Sequence, residues 1–333
     1  MLEFQKKIMH VLDCEHNTYV LSEACMDDRN DQIEKILKSK AEKVFHSTNR
    51  KLARFHQTSE VLKMVRLLQN DQIPFEQFSK ELALLIFEKK MEFGKFQLSD
   101  LVIALVKKDD RRYVLILDNH CNEGWTHTVL QDEGHIKNDI IPYKALISST
   151  LTTKDSAVLI ELYDESIHTI EKPFTLHEQT MYFYSDVVLD STAKLSYQES
   201  MKNVTDLTQS LTNKYDLEQV SIMPKMKSYV VDNVEENIPI QVDDMAEELF
   251  ADVPLAKEEF KEELDKLGVP KEIEVEYVKA TKASRMHKIK TDKGIEISIP
   301  VDYMNSTEFV EFFNQPDGTI AIQLKNITHI TSK

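Results

Sequence analysis

The sequence predicts an α+β protein, with N-terminal helices and an antiparallel sheet, a helical middle and C-terminal β-hairpins. Three observations carry that expectation. Apolar residues recur at three- and four-residue steps through much of residues 30–92, which is the helical period. Between residues 98 and 163 the pattern changes to β-branched and apolar runs split by turn residues. No regular strand–helix–strand alternation runs along the chain, so a doubly wound parallel sheet is not expected.

Taken in order, residues 1–26 alternate around Glu15-His16-Asn17 and read as a hairpin. Ile33, Ile36, Leu37, Val44, Phe45 and Leu52 mark one face of an amphipathic helix over Asn30–Arg54, with Lys and Arg on the other faces. Helices over Ser59–Gln69 and Phe75–Glu92 follow, separated by the break at Asp71–Pro74. Strands are expected at Leu98–Val106, Tyr113–Leu117, Trp125–Leu130 and Ala157–Tyr163. Asp109-Asp110-Arg111 and Asn122-Glu123-Gly124 supply the turns. The middle reads as helices over Ala193–Asn213, Asp216–Asn233, Val242–Phe250 and Leu255–Leu267, punctuated by Pro239, Pro254 and Pro270. Strands return at Ile273–Val278, His287–Ile289, Ile295–Ile299, Thr307–Phe313 and Thr319–Leu324, with Pro316-Asp317-Gly318 as a hairpin turn.

At 333 residues the chain exceeds one usual core, and about 100–200 residues per domain suggests two. We place them at 1–190, an α+β N-terminal domain, and 191–333, a helical segment followed by a β-hairpin domain. The 41% hydrophobic and 29% charged content is ordinary globular usage. No stretch approaches the roughly 20 apolar residues of a membrane span. The N-terminus lacks a small-residue cleavage site and does not read as a signal peptide. Three scattered cysteines, Cys14, Cys25 and Cys121, suit free thiols in a reducing cytosol.

Charge is unevenly spread. The net charge of −16 disfavours a simple DNA-coating protein. Val231–Glu276 alone holds 16 acids against 4 lysines. Two segments run the other way: Asp31–Arg66 has 9 Lys/Arg against 4 acids, and Lys279–Lys293 has 6 against one. A locally basic surface on an acidic protein still binds phosphate.

The basic hairpin Lys279, Lys282, Arg285, Lys288, Lys290 and Lys293 is the leading candidate. A β-ribbon carrying cations can follow phosphates along a groove, each neutralised phosphate releasing counterions. Arg285 is the residue best suited, because its planar fork matches phosphate. The plain alternative is an edge hairpin that uses lysine to block strand pairing. The second candidate is the basic helix, with Lys43, Arg50, Lys51 and Arg54 as its DNA-facing set; its plain alternative is a solvated helix face. The acidic stretch Val231–Glu276 mimics DNA, docks a basic partner protein or shields the basic hairpin; its plain alternative is a soluble helical surface.

Other clusters carry less. His10, Asp13, Cys14 and His16 include metal-ligand types, and on a strand His10, Cys14 and His16 share one face, yet no second Cys/His group completes a tetrahedral zinc site. His120, Cys121 and His127 sit in a strand pattern. There is no Gly-x-Ser-x-Gly, His-Glu-x-x-His or glycine-rich phosphate loop among only 6 glycines. Asp100 and Asp118 as a Mg²⁺-holding nuclease pair lack diagnostic spacing. No catalytic residue, cofactor or metal is therefore assigned.

The C-terminal third resembles the 37-kDa nucleoid-associated protein family of bacteria. The resemblance lies in an acidic helical stretch (EENIPIQVDDMAEELF), then SRMHKIKTDKGIEISIPVDYMN, then FVEFFNQPDGTIAIQLKNI. The earlier strand, helix and sheet regions also follow in a similar order. The resemblance implies a cytoplasmic, nucleoid-associated protein that binds double-stranded DNA with little sequence preference, alongside protein partners. The leading expectation is thus a non-enzymatic DNA-binding protein working through phosphate contacts. The rival is an acidic adaptor that docks onto a DNA-processing enzyme without touching DNA itself. The apolar pattern of Ala193–Asn233 also allows a homodimer.

Overall fold

The computed structural model describes residues 2–27, 31–94, 96–132, 135–176, 179–275, 278, 285–304, 306–317 and 319–329. The chain forms two compact units, Met1–Lys194 and Leu195–Lys333.

In the first unit the elements are β1 (Glu3–Asp13), β2 (Thr18–Val20), α1 (Asp31–Phe45), β3 (Lys51–Phe55), α2 (Glu60–Gln69) and α3 (Phe75–Phe93). There follow β4 (Leu98–Lys108), β5 (Arg111–His120), β6 (Asn122–Asp132), β7 (His135–Leu146), β8 (Ser156–Glu161) and β9 (Ser166–Ile170). The unit closes with β10 (Pro173–Leu176), β11 (Gln179–Tyr182), a π-helical turn at Phe183–Val188 and β12 (Ser191–Ala193). Eight strands pair in the order β12-β3-β9-β8-β5-β4-β1-β2, and every pairing is antiparallel. The fold is α+β.

The unbroken apolar run Leu101–Val106 of β4 has a simple cause: helices cover both faces of the sheet, so both sets of alternating side chains are buried. Leu101 and Ile103 pack with Val114, Ile116, Val158 and Ile160 against α2 and α3. Val102, Ala104 and Val106 pack with Leu115, Leu117 and Leu159 against Leu37, Ala41 and Val44 of α1. Ser59 caps α2, its hydroxyl accepting from the Leu62 N–H at 3.2 Å.

The predicted helix over Asn30–Arg54 is corrected: it ends at Phe45. The Asn49 N–H bonds the Ser47 hydroxyl at 3.2 Å, the kind of local turn that competes with helix. The chain then pairs Lys51–Arg54 with β9, so Leu52 belongs to a strand. β7, β9, β10, β11, β12 and the π-helical turn had no counterpart in the sequence reading. β6 and β7 stand apart from the main sheet as a two-stranded ribbon.

The second unit contains α4 (Tyr197–Lys214), α5 (Gln219–Glu236), β13 (Ile240–Gln241), α6 (Val242–Phe250), α7 (Pro254–Lys266) and β14 (Glu272–Ile273). Next come β15 (Met286–Lys290), β16 (Glu296–Pro300), α8 (Val301–Met304), β17 (Val310–Asn314) and β18 (Ile320–Leu324). Ser196 and Glu199 form a reciprocal capping box at the start of α4. Ala256, Phe260 and Leu264, at i, i+4 and i+8 of α7, fill a core with Val204, Leu211, Met245 and Phe250. The strand expected over Ile273–Val278 shortens to Glu272–Ile273, which pairs with β13, and Val275 enters the core instead. Gly318 of the final expected turn lies outside the described residues; beside it, Asp317 accepts from the Thr319 N–H at 3.0 Å.

One buried polar knot ties the first unit together. Lys90 of α3 and Asp118 of β5 pair at 2.6 Å with side chains only 2% and 8% exposed. Lys90 also donates to Ser99 at 2.8 Å, and the Tyr184 hydroxyl donates to Asp118 at 2.8 Å. Removing one partner of a buried pair leaves an uncompensated charge, so Lys90→Met should cost about 3–5 kcal/mol in urea denaturation. Asp118→Asn in the same chain removes that charge yet still accepts from Tyr184, and about half the loss should return. A double variant no more stable than Lys90→Met alone would contradict this account.

A second expectation concerns acid. The Ser22 N–H donates to His10 Nδ1 at 3.1 Å, so neutral His10 carries its proton on Nε2 and donates to the Ser79 hydroxyl at 2.6 Å. Burial and the Lys80 ammonium lower its pKa to about 4, and burial, chiefly, lowers that of His168 to about 3. Both lie below the unfolded value of about 6.5. The unfolded chain therefore takes up protons that the folded chain does not, and stability falls as pH drops from 6.5 towards 4. His10→Gln should flatten that slope in denaturant midpoints measured across the window; an unchanged slope would contradict the assignment.

Candidate nucleic-acid interface

The β15–β16 hairpin has a chemically divided cross-section because strand side chains alternate. Ile289, Ile297 and Ile299 turn one way and pack with Met304, Val310, Phe312 and Ile322. Lys288 and Lys290 belong to the opposite face, paired with Ser298 and Glu296, and both are exposed. The turn is closed by the Gly294 N–H to the Thr291 carbonyl at 3.0 Å, with Gly294 at φ +81°, a conformation that favours glycine. At the open end the Val301 N–H bonds the Arg285 carbonyl at 2.9 Å, fixing the backbone from which Arg285 projects.

Each cation of this ribbon meets its own surroundings. Arg285 pairs with Glu235 of α5 and remains half exposed. Lys290 pairs with Glu296 at 3.3 Å and Lys293 with Asp292 at 3.3 Å, all four side chains open to solvent. Such surface pairs hold weakly, by about 0–1 kcal/mol, so phosphate can displace the carboxylates. Lys288 lies near Lys227, whose ammonium is half buried under the hairpin and donates to the Met286 carbonyl at 2.7 Å. Burial, then Lys288, lowers the pKa of Lys227. Burial and Lys227 likewise lower that of His287. Arg285, Lys288, Lys290 and Lys293 thus share one short ribbon. Lys279 and Lys282 lie outside the described residues.

The other basic set is dispersed by the fold. Lys43 is exposed on α1 and reaches the Leu151 carbonyl at 3.3 Å. Arg50 lies in the turn after α1, half buried, with its guanidinium donating to the Phe45 carbonyl at 2.9 Å. Arg54 is on β3, exposed, donating to the Asp164 carbonyl at 2.7 Å. Lys51 is 3% exposed and its ammonium sits 3.3 Å from the centre of the Tyr182 ring. Lys51 is therefore corrected from a surface cation to a buried one. The strand alternation of Lys51-Leu-Ala-Arg54 separates residues that a continuous helix would have gathered.

The remaining clusters resolve into structural roles. His10 is buried in the bonds described above, and Cys14 lies beyond the end of β1, so His10, Cys14 and His16 do not share a strand face. The Cys121 thiol donates to Asp100 at 3.3 Å, and burial, reinforced by that carboxylate, pushes its pKa to about 12, which keeps the proton on sulfur. Among the described residues no group of three His, Cys, Asp or Glu side chains is placed to hold a metal. No helix among them is long and apolar enough to cross a membrane. On the acidic side, Glu259 is engaged by Lys214 at 2.6 Å and by the Tyr215 hydroxyl at 2.8 Å, while Glu258 and Glu262 on α7 are exposed.

The feature that sequence reading missed is the β6–β7 ribbon. Trp125, Val129, Ile136 and Ile140 share one of its faces and are 77%, 60%, 75% and 69% exposed. The alternation from Trp125 to Leu130 was visible, but the alternation normally assigns apolar side chains to a core, and here they face solvent.

Comparison with known proteins places this architecture. No curated protein matches the chain. A family model described as nucleoid-associated protein YejK matches residues 8–330, which spans both units and the whole basic ribbon. The chain belongs to that family of nucleoid-associated proteins.

Proposed function

We propose that the protein binds duplex DNA through phosphate contacts made by the β15–β16 ribbon, in the cytoplasm at the nucleoid, without enzymatic chemistry and with little regard to base sequence. The observation that carries this reading is the ribbon itself. Lys288 and Lys290 project from a face whose reverse is anchored by Ile289, Ile297 and Ile299, with Arg285 and Lys293 at its two ends. A stiff strip of cations suits successive phosphates, contacts that carry no base-sequence information. Association with a nucleoid in an overall acidic chain then depends on local rather than net charge.

Binding to a short labelled duplex, followed by anisotropy across a salt series, tests the reading. The log–log slope should be about −0.9 per phosphate neutralised. Charge reversal at Arg285, Lys288 and Lys290 should make the slope shallower by roughly 2.7 and weaken binding at least about tenfold. Equal binding by that variant would remove the ribbon from the interface. Glu235→Gln, which releases Arg285 from its carboxylate, should tighten binding a few-fold; weaker binding would mean the ion pair positions Arg285 rather than competing for it.

The exposed Glu258 and Glu262 on α7 favour a second reading, an adaptor whose acidic face docks a basic DNA-processing enzyme. Absence of duplex binding at low salt, with capture of a DNA-processing enzyme lost on neutralising Glu258, Glu259, Glu262 and Glu263, would favour it over direct contact.

A further inference from the structure

The β6–β7 ribbon presents an exposed apolar surface that nothing described so far explains. It comprises strands of 11 and 12 residues paired only with each other. An isolated two-stranded ribbon is marginally stable in water, so a ribbon of this length calls for a covering layer. Pairing Trp125 with Pro142, His127 with Ile140, Val129 with Asn138 and Gln131 with Ile136 sets these eight residues on one face. Among the described residues that face is exposed from end to end. These eight include no Asp, Glu, Lys or Arg, and the Glu123–Lys144 pair closes the face at its Trp125 end without adding net charge.

We infer that this face binds the same face of a second copy of the chain, packing two ribbons into a sandwich about a two-fold axis. Three arguments choose that occupant. First, the eight side chains at roughly 100 Å² each offer about 800 Å² per chain, the area a standard interface needs from each partner. Second, the chain carries −16, and two copies repel wherever their acidic surfaces meet. A face without net charge is where they approach without opposing like charges. Four of the ribbon's ions already pair with each other, Lys137 with Asp139 at 3.2 Å and Lys144 with Glu123 at 3.3 Å, so they offer little to a strongly charged partner. Third, apolar side chains spread along a ribbon are self-complementary under two-fold rotation, which is what an isologous contact requires. Sheets stacked this way sit about 10 Å apart, room for Trp125 of one ribbon to lie over Val129 and Ile140 of the other.

Sedimentation equilibrium of the full chain at tens of micromolar tests the inference. The expected mass is twice the 38.7 kDa of the chain. Trp125 is the only tryptophan, so its emission reports the interface in the unaltered protein. In the dimer it should be shielded from acrylamide, and dilution should open it to quenching in step with the fall in mass. Ile136→Asp with Ile140→Asp should weaken self-association at least a hundred-fold while the circular dichroism and the binding of a short duplex persist. A monomer at tens of micromolar would overturn the inference and point to a different protein or a lipid surface as the occupant. So would a dimer in which Trp125 stays fully quenchable, or a folded double variant that remains dimeric. Because the ribbon lies apart from the basic hairpin in sequence, loss of DNA binding in the triple charge-reversal variant leaves this test unaffected.

Discussion

The first unit depends on how Lys90 meets Asp118. The pair joins α3 to the end of β5, and the Tyr184 hydroxyl brings in the π-helical turn that follows the last hairpin of the unit. Tyr184 is in turn held by its backbone N–H, which donates to Glu171 at 2.6 Å. Burial pushes the pKa of Glu171 up, even with three donors around it. Elements more than ninety residues apart in sequence are thereby fixed at one place in the sheet. Leaving either charge buried without the other is costly, and this ties the last turns of α3 to the end of β5.

That same knot decides what Asp118 does. A carboxylate at a strand end is a common place for a metal, and sequence alone left Asp100 and Asp118 open as such a pair. In the fold, one carries the Cys121 thiol and the other the Lys90 ammonium and Tyr184 hydroxyl. Their chemistry is internal. The charge that faces outward is elsewhere, on the β15–β16 ribbon, and its design follows from strand alternation: isoleucines anchor one side and lysines cover the other.

Much of this was legible in the residues. Helical periodicity gave α2, α3, α6 and α7 with ends within two residues, and the apolar runs gave β4, β5 and β8. The hairpin at residues 286–300 followed from its alternation and from Gly294. What was not legible has physical causes. Lys35, Lys38 and Lys43 continue into Arg50, Lys51 and Arg54 with no proline or glycine, so the Ser47-Thr48-Asn49 cluster was the one local sign of a turn; pairing with β9 and β12 makes Lys51–Phe55 a strand. Burial of Lys51 over Tyr182 depends on a contact 131 residues away in sequence. β9 and β12 are short and take their identity from neighbours rather than from their own sequence. The solvent-facing ribbon escaped notice because alternation reports which side chains share a face and says nothing about what covers it.

The central claim is that the β15–β16 ribbon touches DNA. Hydrogen exchange of the full chain, followed by mass spectrometry with and without a saturating short duplex, tests it where it is made. The account predicts slowed exchange concentrated in residues 285–296, lost again at high salt. Slowed exchange confined to Met1–Lys194, or no change in the ribbon while DNA is demonstrably bound, would contradict it.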